Sequence, residues 1–285
     1  ILGGNIRGVS NLQLFKKVKQ VDLAVLELDS WQLQGFGESK ISPHISVFTN
    51  FMQDHFNYYK NNPEQYFIDK SYIYEFQKSG DVLILGGAMK EKIKNVKSKV
   101  VKANMKNIPK AWKIPLPGKH NLENIACALE VARFLKIKEE IVRKAVENFK
   151  AISGRLEFAR EVNGIKIYND NSSTTPEATI AALRAVGDAK KRNIVLIMGG
   201  DNKSLDMSEL VAEIPKWCSK VILFKEKWTD LIRNQIFALK KKGIEVYEEE
   251  GLENSVKRAF EVSKAGETIL YSPAFSSFGK YFKNE

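Results

Sequence analysis

Three polar side chains, Asn50, Asp54 and His55, stand directly behind the apolar run Ile45-Ser-Val-Phe-Thr49. Such a run reads as a buried strand, and α/β enzymes place their chemistry just beyond the carboxyl ends of buried strands. Upstream, Val21 to Leu28 reads as a second buried strand with Glu27 near its end. Two strand-end ligands of this kind point to a hard cation such as Mg²⁺, which takes one or two protein oxygens and adds waters and substrate phosphates. The residues leave alternatives open. Glu27 can be a solvated strand-end carboxylate, and His55 can ligate a metal, hydrogen-bond a substrate carboxylate or serve the fold alone. Lys70, on an amphipathic helical pattern, reads from spacing alone as a solvated lysine. A phosphate loop ending in Gly-Lys-Ser or Gly-Lys-Thr, the usual companion of such a site in a nucleotide enzyme, does not occur in these 285 residues.

Four further polar segments carry possible chemistry. Gly118-Lys-His-Asn121-Leu-Glu-Asn124 opens a helical pattern, and Asn121 and Asn124, three residues apart, share one face. Two amides there can read the donor and acceptor edge of a purine, or Asn121 can simply cap the helix. Asn169-Asp-Asn-Ser-Ser-Thr-Thr175 follows a strand and leads into a helix at Pro176. Unpaired N–H groups and the helix dipole suit that loop to an anion or a ribose. Gly199-Gly-Asp-Asn-Lys203-Ser and Ser272-Pro-Ala-Phe-Ser-Ser277-Phe-Gly each follow a strand as well. In a doubly wound sheet the last three loops converge on one crevice at the carboxyl edge.

The elements that must position these residues alternate in the way a parallel, helix-covered sheet requires. Strands are predicted at Leu23 to Leu28, Ile45 to Thr49 and Val82 to Leu85, and helices at Leu12 to Val18, Pro63 to Gln77 and Asn121 to Leu135. Asn62 and Pro63 are the predicted N-cap and first residue of the helix carrying Lys70. A second series opens near Ile152 with a hairpin whose turn is Asn163-Gly164, between Glu157 to Val162 and Ile165 to Tyr168. Strands at Asn193 to Met198, Lys220 to Phe224, Ile244 to Tyr247 and Thr268 to Tyr271 then alternate with helices at Pro176 to Val186, Met207 to Trp217, Thr229 to Lys241 and Leu252 to Ala265. The expected class is α/β in two domains, 1–150 and 151–285, the second Rossmann-like and doubly wound.

Composition narrows the function classes. The net charge of +11 comes from lysines spread over helical patterns such as Lys90 to Lys102 and Lys136 to Lys144. With no zinc finger and no aromatic-plus-basic signature, the charge fits small anionic substrates rather than nucleic acid. No apolar run approaches the roughly 20 residues of a membrane span. Cys127 and Cys218 fall in helical patterns and read as small buried hydrophobes of a reducing compartment. Ile1-Leu-Gly-Gly reads as the interior of a domain and the final helical pattern, Ser276 to Glu285, as cut short, so both ends are expected to be truncated.

Taken in order, Gly3-Gly-Asn-Ile6, Leu26-Glu-Leu-Asp-Ser-Trp-Gln-Leu33, Thr49-Asn50 with Asp54-His55, His120-Asn-Leu-Glu-Asn124, Gly154-Arg-Leu-Glu157, Asn169-Asp170, Gly199-Gly-Asp-Asn-Lys203 and Ser272-Pro-Ala with Ser277-Phe278 resemble the Mur ligases over nearly the whole chain. Within that family they are most similar to the branch that adds D-glutamate. The resemblance implies that 1–150 is most of a central ATP-binding domain and 151–285 most of an amino-acid-binding domain, with the phosphate loop upstream of Ile1. It implies an ADP-forming ligase that joins D-glutamate to UDP-N-acetylmuramoyl-L-alanine through an acyl phosphate, in the cytoplasm, as a monomer, for peptidoglycan synthesis.

Residue by residue, the resemblance implies that Glu27, His55 and a carbamylated Lys70 hold two magnesium ions. It makes Asn121 and Asn124 adenine contacts, Arg155 a phosphate contact and Asp170 a nucleotide contact. Asn5 and His55 face the muramoyl substrate, and Thr174, Lys203 and Ser277, with Phe278 beside them, bind D-glutamate. The sequence departs from the family at Ser172, often lysine, at Asp29, often serine, at Arg7, and over Phe282 to Glu285. Two other readings stay open: a related ATP-dependent ligase for another amino acid, either another Mur ligase or one of the folylpolyglutamate synthase type, and a degenerate, non-catalytic module. The 285 residues alone are expected to be inactive towards ATP.

Overall fold

The structure, a computed structural model, describes residues 1–6, 11–14, 16, 19, 23–52, 56–87, 89, 93, 96–200, 205–225 and 229–275. They form two compact units. The first comprises Ile1–Asn107 with Ala126–Leu135, and the second Ile108–Ile125 with Lys136–Glu285, so the division falls inside one helix.

In the first unit, β1 (Leu2–Gly4) is followed by the short α1 (Asn11–Leu14) and pairs in parallel with β2 (Val25–Glu27), Gly4 opposite Glu27. The chain then turns into α2 (Ser30–Glu38). Asp29 accepts from the Gln32 N–H while the Gln32 side chain accepts from the Asp29 N–H, a reciprocal cap that fixes where α2 begins. A second parallel sheet runs β3 (Ile45–Phe48), β4 (Val82–Leu85), β5 (Lys99–Lys102). All four β4 side chains are buried, as expected of a central strand covered on both faces. Between β3 and β4 lie α3 (Phe56–Tyr59) and α4 (Pro63–Ser71), the latter capped by Asn62, which accepts from Gln65 N–H. On one face Phe48, Tyr74, Leu83 and Leu85 cluster; on the other, Val82 and Ile84 meet Cys127, Val131 and Phe134 of α5 (Lys119–Phe134).

The second unit holds α6 (Glu139–Glu147) and a six-stranded sheet in the order β10-β9-β8-β11-β7-β6. Its edge is the hairpin β6 (Glu157–Val162) and β7 (Ile165–Asn169), the one antiparallel pair in the sheet; Asn163 and Gly164 turn it with φ of 51° and 75°. Then α7 (Pro176–Val186), β8 (Ile194–Met198), α8 (Ser208–Trp217), β9 (Cys218–Phe224), α9 (Asp230–Ala238), β10 (Glu245–Glu249), α10 (Gly251–Val262) and β11 (Thr268–Tyr271) alternate. Successive residues of β8 alternate between two cores. Ile194, Leu196 and Met198 meet Leu183, Leu210 and Ile236 of α7, α8 and α9, while Val195 and Ile197 meet Ala259 of α10. Helices on both faces make this a doubly wound, Rossmann-like unit. Among the described residues no helix is long and apolar enough to cross a membrane.

Four expectations are corrected. The strand carrying Glu27, expected to be buried, is β2, whose three residues Val25–Glu27 are all exposed. Lys99–Lys102, expected to belong to a helix face, is edge strand β5. Cys218 opens β9 directly from the end of α8 and lies in a strand; both cysteines are buried. Helix α4 ends at Ser71, not near Gln77, because Ser42 and Ser46 donate to the Tyr72 and Ile73 carbonyls and draw the chain down beside β3. Of the helix expected at Leu12 to Val18, Asn11–Leu14 is helical. The one expected at Ser276 to Glu285 lies outside the described residues.

Candidate functional site

Two of the first unit's candidates meet at one sheet edge. Glu27 ends β2 with its side chain exposed, and its carbonyl accepts from the Asn5 N–H at 2.6 Å. Such close approach requires Gly4: φ is 91°, and a Cβ there would sit 1.9 Å from the Glu27 carbonyl oxygen. Asn11 clamps the same turn, its amide exchanging two hydrogen bonds with the Gly4 backbone.

Lys70 lies in the last turn of α4, its Nζ 5.2 Å from the centre of the Tyr66 ring one turn earlier. Beside it Asp69 is buried, accepting from Gln34 at 2.6 Å, Tyr59 at 2.9 Å and Gln65 at 2.8 Å. Burial, with Asp69 adding to it, pushes the Tyr59 phenol up to about 12, so it remains a donor. Asp69, Gln34, Tyr59 and Gln65, with Tyr58, Lys60 and Asn62, line a pocket of about 430 Å³. Asp54 and His55 lie outside the described residues, and among those described no cluster of three or more His, Cys, Asp or Glu could hold a metal ion.

In the second unit the centre is Asp170, directly behind β7. Its Oδ1 accepts from the Leu156 N–H at 2.8 Å, and its Oδ2 from the hydroxyls of Ser173 at 2.5 Å and Ser272 at 2.8 Å. The Ser272 hydroxyl also pairs with Thr179 of α7 at 2.8 Å. One carboxylate thus ties together the Gly154-Arg-Leu-Glu157 segment, the loop after β7 and the loop after β11. Burial raises the Asp170 carboxyl above its ordinary value, opposed by those three hydrogen bonds and by the charge of His120. Half-buried in the first turn of α5, His120 is held below its ordinary value by burial, against the attraction of Asp170 and Glu123.

The other candidates lie around this centre. The Asn121 amide, in the first turn of α5 rather than at its cap, donates to the Pro117 carbonyl at 2.7 Å, and Asn124 is exposed. The Arg155 side chain is exposed, in a turn where Gly154, at φ 74°, passes so close to Asn171 that a Cβ would lie 1.9 Å from its Oδ1. Thr174 is half-buried, with its N–H donating to the Ser172 carbonyl. Thr175 caps α7, accepting from the Ala178 N–H. Lys203, Ser277 and Phe278 lie outside the described residues. Sequence reading missed Asp69, His120 and Thr179 as members of these networks; His120 and Ser272 stood inside quoted motifs, whereas Asp69 and Thr179 gave no signal.

Comparison with known proteins agrees with this architecture. Residues 7–112 match the model of the Mur ligase middle domain, and 154–275 that of the Mur ligase glutamate ligase domain. A UDP-N-acetylmuramoylalanine--D-glutamate ligase of Borreliella afzelii (strain PKo) is 33% identical over 100% of this chain and 65% of its own length. One of the same name from Roseiflexus sp. (strain RS-1) is 30% identical over 100% of this chain and 67% of its own. The chain belongs to the Mur ligase family. Its fold is also that of a Mycobacterium tuberculosis folylpolyglutamate synthase solved with ADP and AMPPCP, with a TM-score of 0.67, 16% identity, and coverage of 92% of this chain and 68% of that one. The Mur ligase chain described here spans 65% of the length of the Borreliella relative.

Proposed function

We propose that this Mur ligase chain supplies most of the central and amino-acid-binding domains of an ADP-forming ligase that joins D-glutamate to UDP-N-acetylmuramoyl-L-alanine. The observation that carries the reading is a match over 100% of the chain to relatives of that name. Domain limits of 1–150 and 151–285 are supported by the gap between the matched segments, which end at 112 and resume at 154. A cytoplasmic monomer using ATP and two Mg²⁺ ions in peptidoglycan precursor synthesis completes the proposal.

A carboxylate is a poor electrophile, so phosphorylation of the substrate's terminal carboxylate by ATP gives an acyl phosphate and ADP. The D-glutamate amine then attacks the acyl carbon and phosphate leaves. Asn121 and Asn124 would face the adenine, the exposed Arg155 guanidinium a phosphate, and Asp170 the nucleotide through the loop it braces. Asn5 and His55 would face the muramoyl substrate, and Thr174, Lys203 and Ser277, with Phe278, the D-glutamate carboxylates, where a cation and hydroxyls are the required chemistry.

The exposed carboxylate of Glu27 fits Mg²⁺ at a strand end. Lys70 fits only after its neutral amine adds CO₂ and loses a proton, since an ammonium offers no lone pair. Glu27, His55 and carbamylated Lys70 would then hold the ions, whose charge offsets that of the phosphoryl group in flight. The test is ADP release by the intact gene product with ATP, Mg²⁺ and the muramoyl-alanine nucleotide. Stimulation by D-glutamate above a panel of other amino acids is expected, and equal or no stimulation refutes the assignment.

A further inference from the structure

One well-partnered carboxylate of the first unit is a group for which the proposed reaction has no use. Asp69 is only 3% exposed, and its three donors come from separate elements: Gln34 from α2, Tyr59 from α3 and Gln65 from α4. Two amides and a phenol hold it, all neutral. Burying a carboxylate costs free energy that neutral donors only partly return, so an apolar side chain would serve packing alone at least as well.

The position of Asp69 gives the carboxylate a use. It precedes Lys70 in the last turn of α4, where the backbone bonds are long: Tyr72 N–H to the Asp69 carbonyl and Ile73 N–H to the Lys70 carbonyl are both 3.4 Å. Helix ends held by such bonds fray. The short side-chain hydrogen bond tying this turn to α2 is that of Gln34 with Asp69, at 2.6 Å, with Tyr59 of α3 at 2.9 Å and Gln65 of α4 itself at 2.8 Å completing the set. Ser42 holds the Tyr72 carbonyl at 2.6 Å, which anchors the chain just beyond the helix, where the Tyr72 ring packs against Gly37 of α2. Helix α2 in turn begins three residues after Glu27, locked by the Asp29 and Gln32 cap. The path from one proposed ligand to the other therefore runs Glu27, the cap, α2, Gln34, Asp69, Lys70.

We infer that Asp69 is a positioning residue, coupling the helix that carries Lys70 to the helix that follows Glu27 so that both side chains are held ready before any ion arrives. The inference rests on the reading of Glu27 and Lys70 as ligands. Asp69→Asn puts an amide donor against the Gln34 amide and the Tyr59 hydroxyl. Tyr59→Phe deletes one donor at nearly constant volume and stands in should the first variant not fold. Asp81→Asn, which removes a carboxylate bonded to His44 and the Lys78 N–H, is a control for general destabilisation.

The experiment uses the intact gene product with two readouts. In metal-free protein, hydrogen exchange by mass spectrometry is followed over residues 30–38 and 66–76. In the loaded enzyme, the Mg²⁺ concentration for half-maximal ADP release is measured well below the melting temperature. Asp69→Asn is expected to accelerate exchange in both segments together by tenfold or more and to raise the Mg²⁺ midpoint about tenfold; Tyr59→Phe should move both about threefold, and Asp81→Asn neither. Wild-type exchange and an unmoved midpoint in both Asp69→Asn and Tyr59→Phe overturn the inference, as does an equal response from Asp81→Asn. Lys70→Met separates the two levels. If it retains full ADP release, the ligand reading fails. If it is inactive while Asp69→Asn behaves as wild type, the inference alone fails.

Discussion

Replacing Asp170 tests whether the second unit's loops are held by one carboxylate. Asp170→Ala leaves the Leu156 N–H, in a residue 3% exposed, without its acceptor, at a cost of about 1–3 kcal/mol for an orphaned buried donor. The two hydroxyls on Oδ2 fare better, because the Ser272 hydroxyl keeps Thr179 at 2.8 Å and the Ser173 hydroxyl can rotate. Against these losses, the variant no longer desolvates a carboxylate, the leading cause of the raised Asp170 value. A net loss of about 2 kcal/mol follows for Asp170→Ala, which at about 2–4 °C per kcal/mol for a unit of this size is a fall in Tm of about 4–8 °C.

Asp170→Asn keeps the Oδ1 acceptor for Leu156 and turns Oδ2 into a donor that the serine hydroxyls can accept, so it should cost only about 1 kcal/mol. The pH dependence has a fixed sign. A carboxyl whose folded value is raised contributes stability that is fully present below its unfolded value and lost as pH rises through the folded one. The penalty of Asp170→Asn should therefore be larger below pH 3.8 than at neutrality. Thermal melts followed by circular dichroism at both pH values measure all three quantities. Equal shifts for the alanine and asparagine variants, or a penalty that grows as pH rises, would refute the hub geometry.

Other perturbations have equally definite outcomes. Gly154→Ala places a side chain at φ 74° and against Asn171 Oδ1, so the urea midpoint should fall by the equivalent of about 1–3 kcal/mol, with Asn171→Ala restoring part; an unchanged midpoint contradicts the turn as described. Glu213, 6% exposed, accepts from Arg184, Lys216 and Trp217; the Arg184 hydrogen bond is the first cause holding its carboxyl at about 2. A lowered value gives stability present above pH 4.5 and lost as pH falls towards 2. Glu213→Gln should thus cost about 1–2 kcal/mol at pH 7, discounted for the exposure of Arg184, and nothing near pH 2, as acid titration of the two unfolding curves would reveal.

Much of the fold was legible because buried parallel strands carry their own signature. Val82–Leu85 and Ile194–Met198 are uninterrupted apolar runs, and Asn163-Gly164 supplies the two positive φ angles of a tight hairpin. Two strands escaped: Leu2–Gly4, a three-residue strand of which two are glycines, and Lys99–Lys102, which has only two valines between lysines, with Val100 45% exposed. That pattern suits a charged edge and also reads as a solvated helix face. The early end of α4 escaped for another reason: the hydroxyls of Ser42 and Ser46 that capture Tyr72 and Ile73 come from 30 and 27 residues away. Cys218 was misread because α8 passes into β9 with no intervening loop to mark the change.

The candidate site divides along the same line. Side chains whose chemistry is their signal, such as Glu27, Asn121 and Arg155, were visible as residues, while the couplings among side chains were not. Gln34 reaches Asp69 across 35 residues and Ser272 reaches Asp170 across 102. Sheet order explains the second coupling. Strand β11 returns between β7 and β8, so the loops after all three emerge side by side, and the Gly199 N–H meets the Pro273 carbonyl at 3.0 Å while Ser272 meets Asp170. A right-handed parallel crossover rule predicts helices on both faces but not which strand is inserted where. The described beginnings of the three polar loops, at Asp170, Gly199 and Ser272, are therefore adjacent, as the doubly wound pattern leads one to expect. What that pattern could not supply was the agent, a buried carboxylate whose oxygens face the protein and bind the loops to one another.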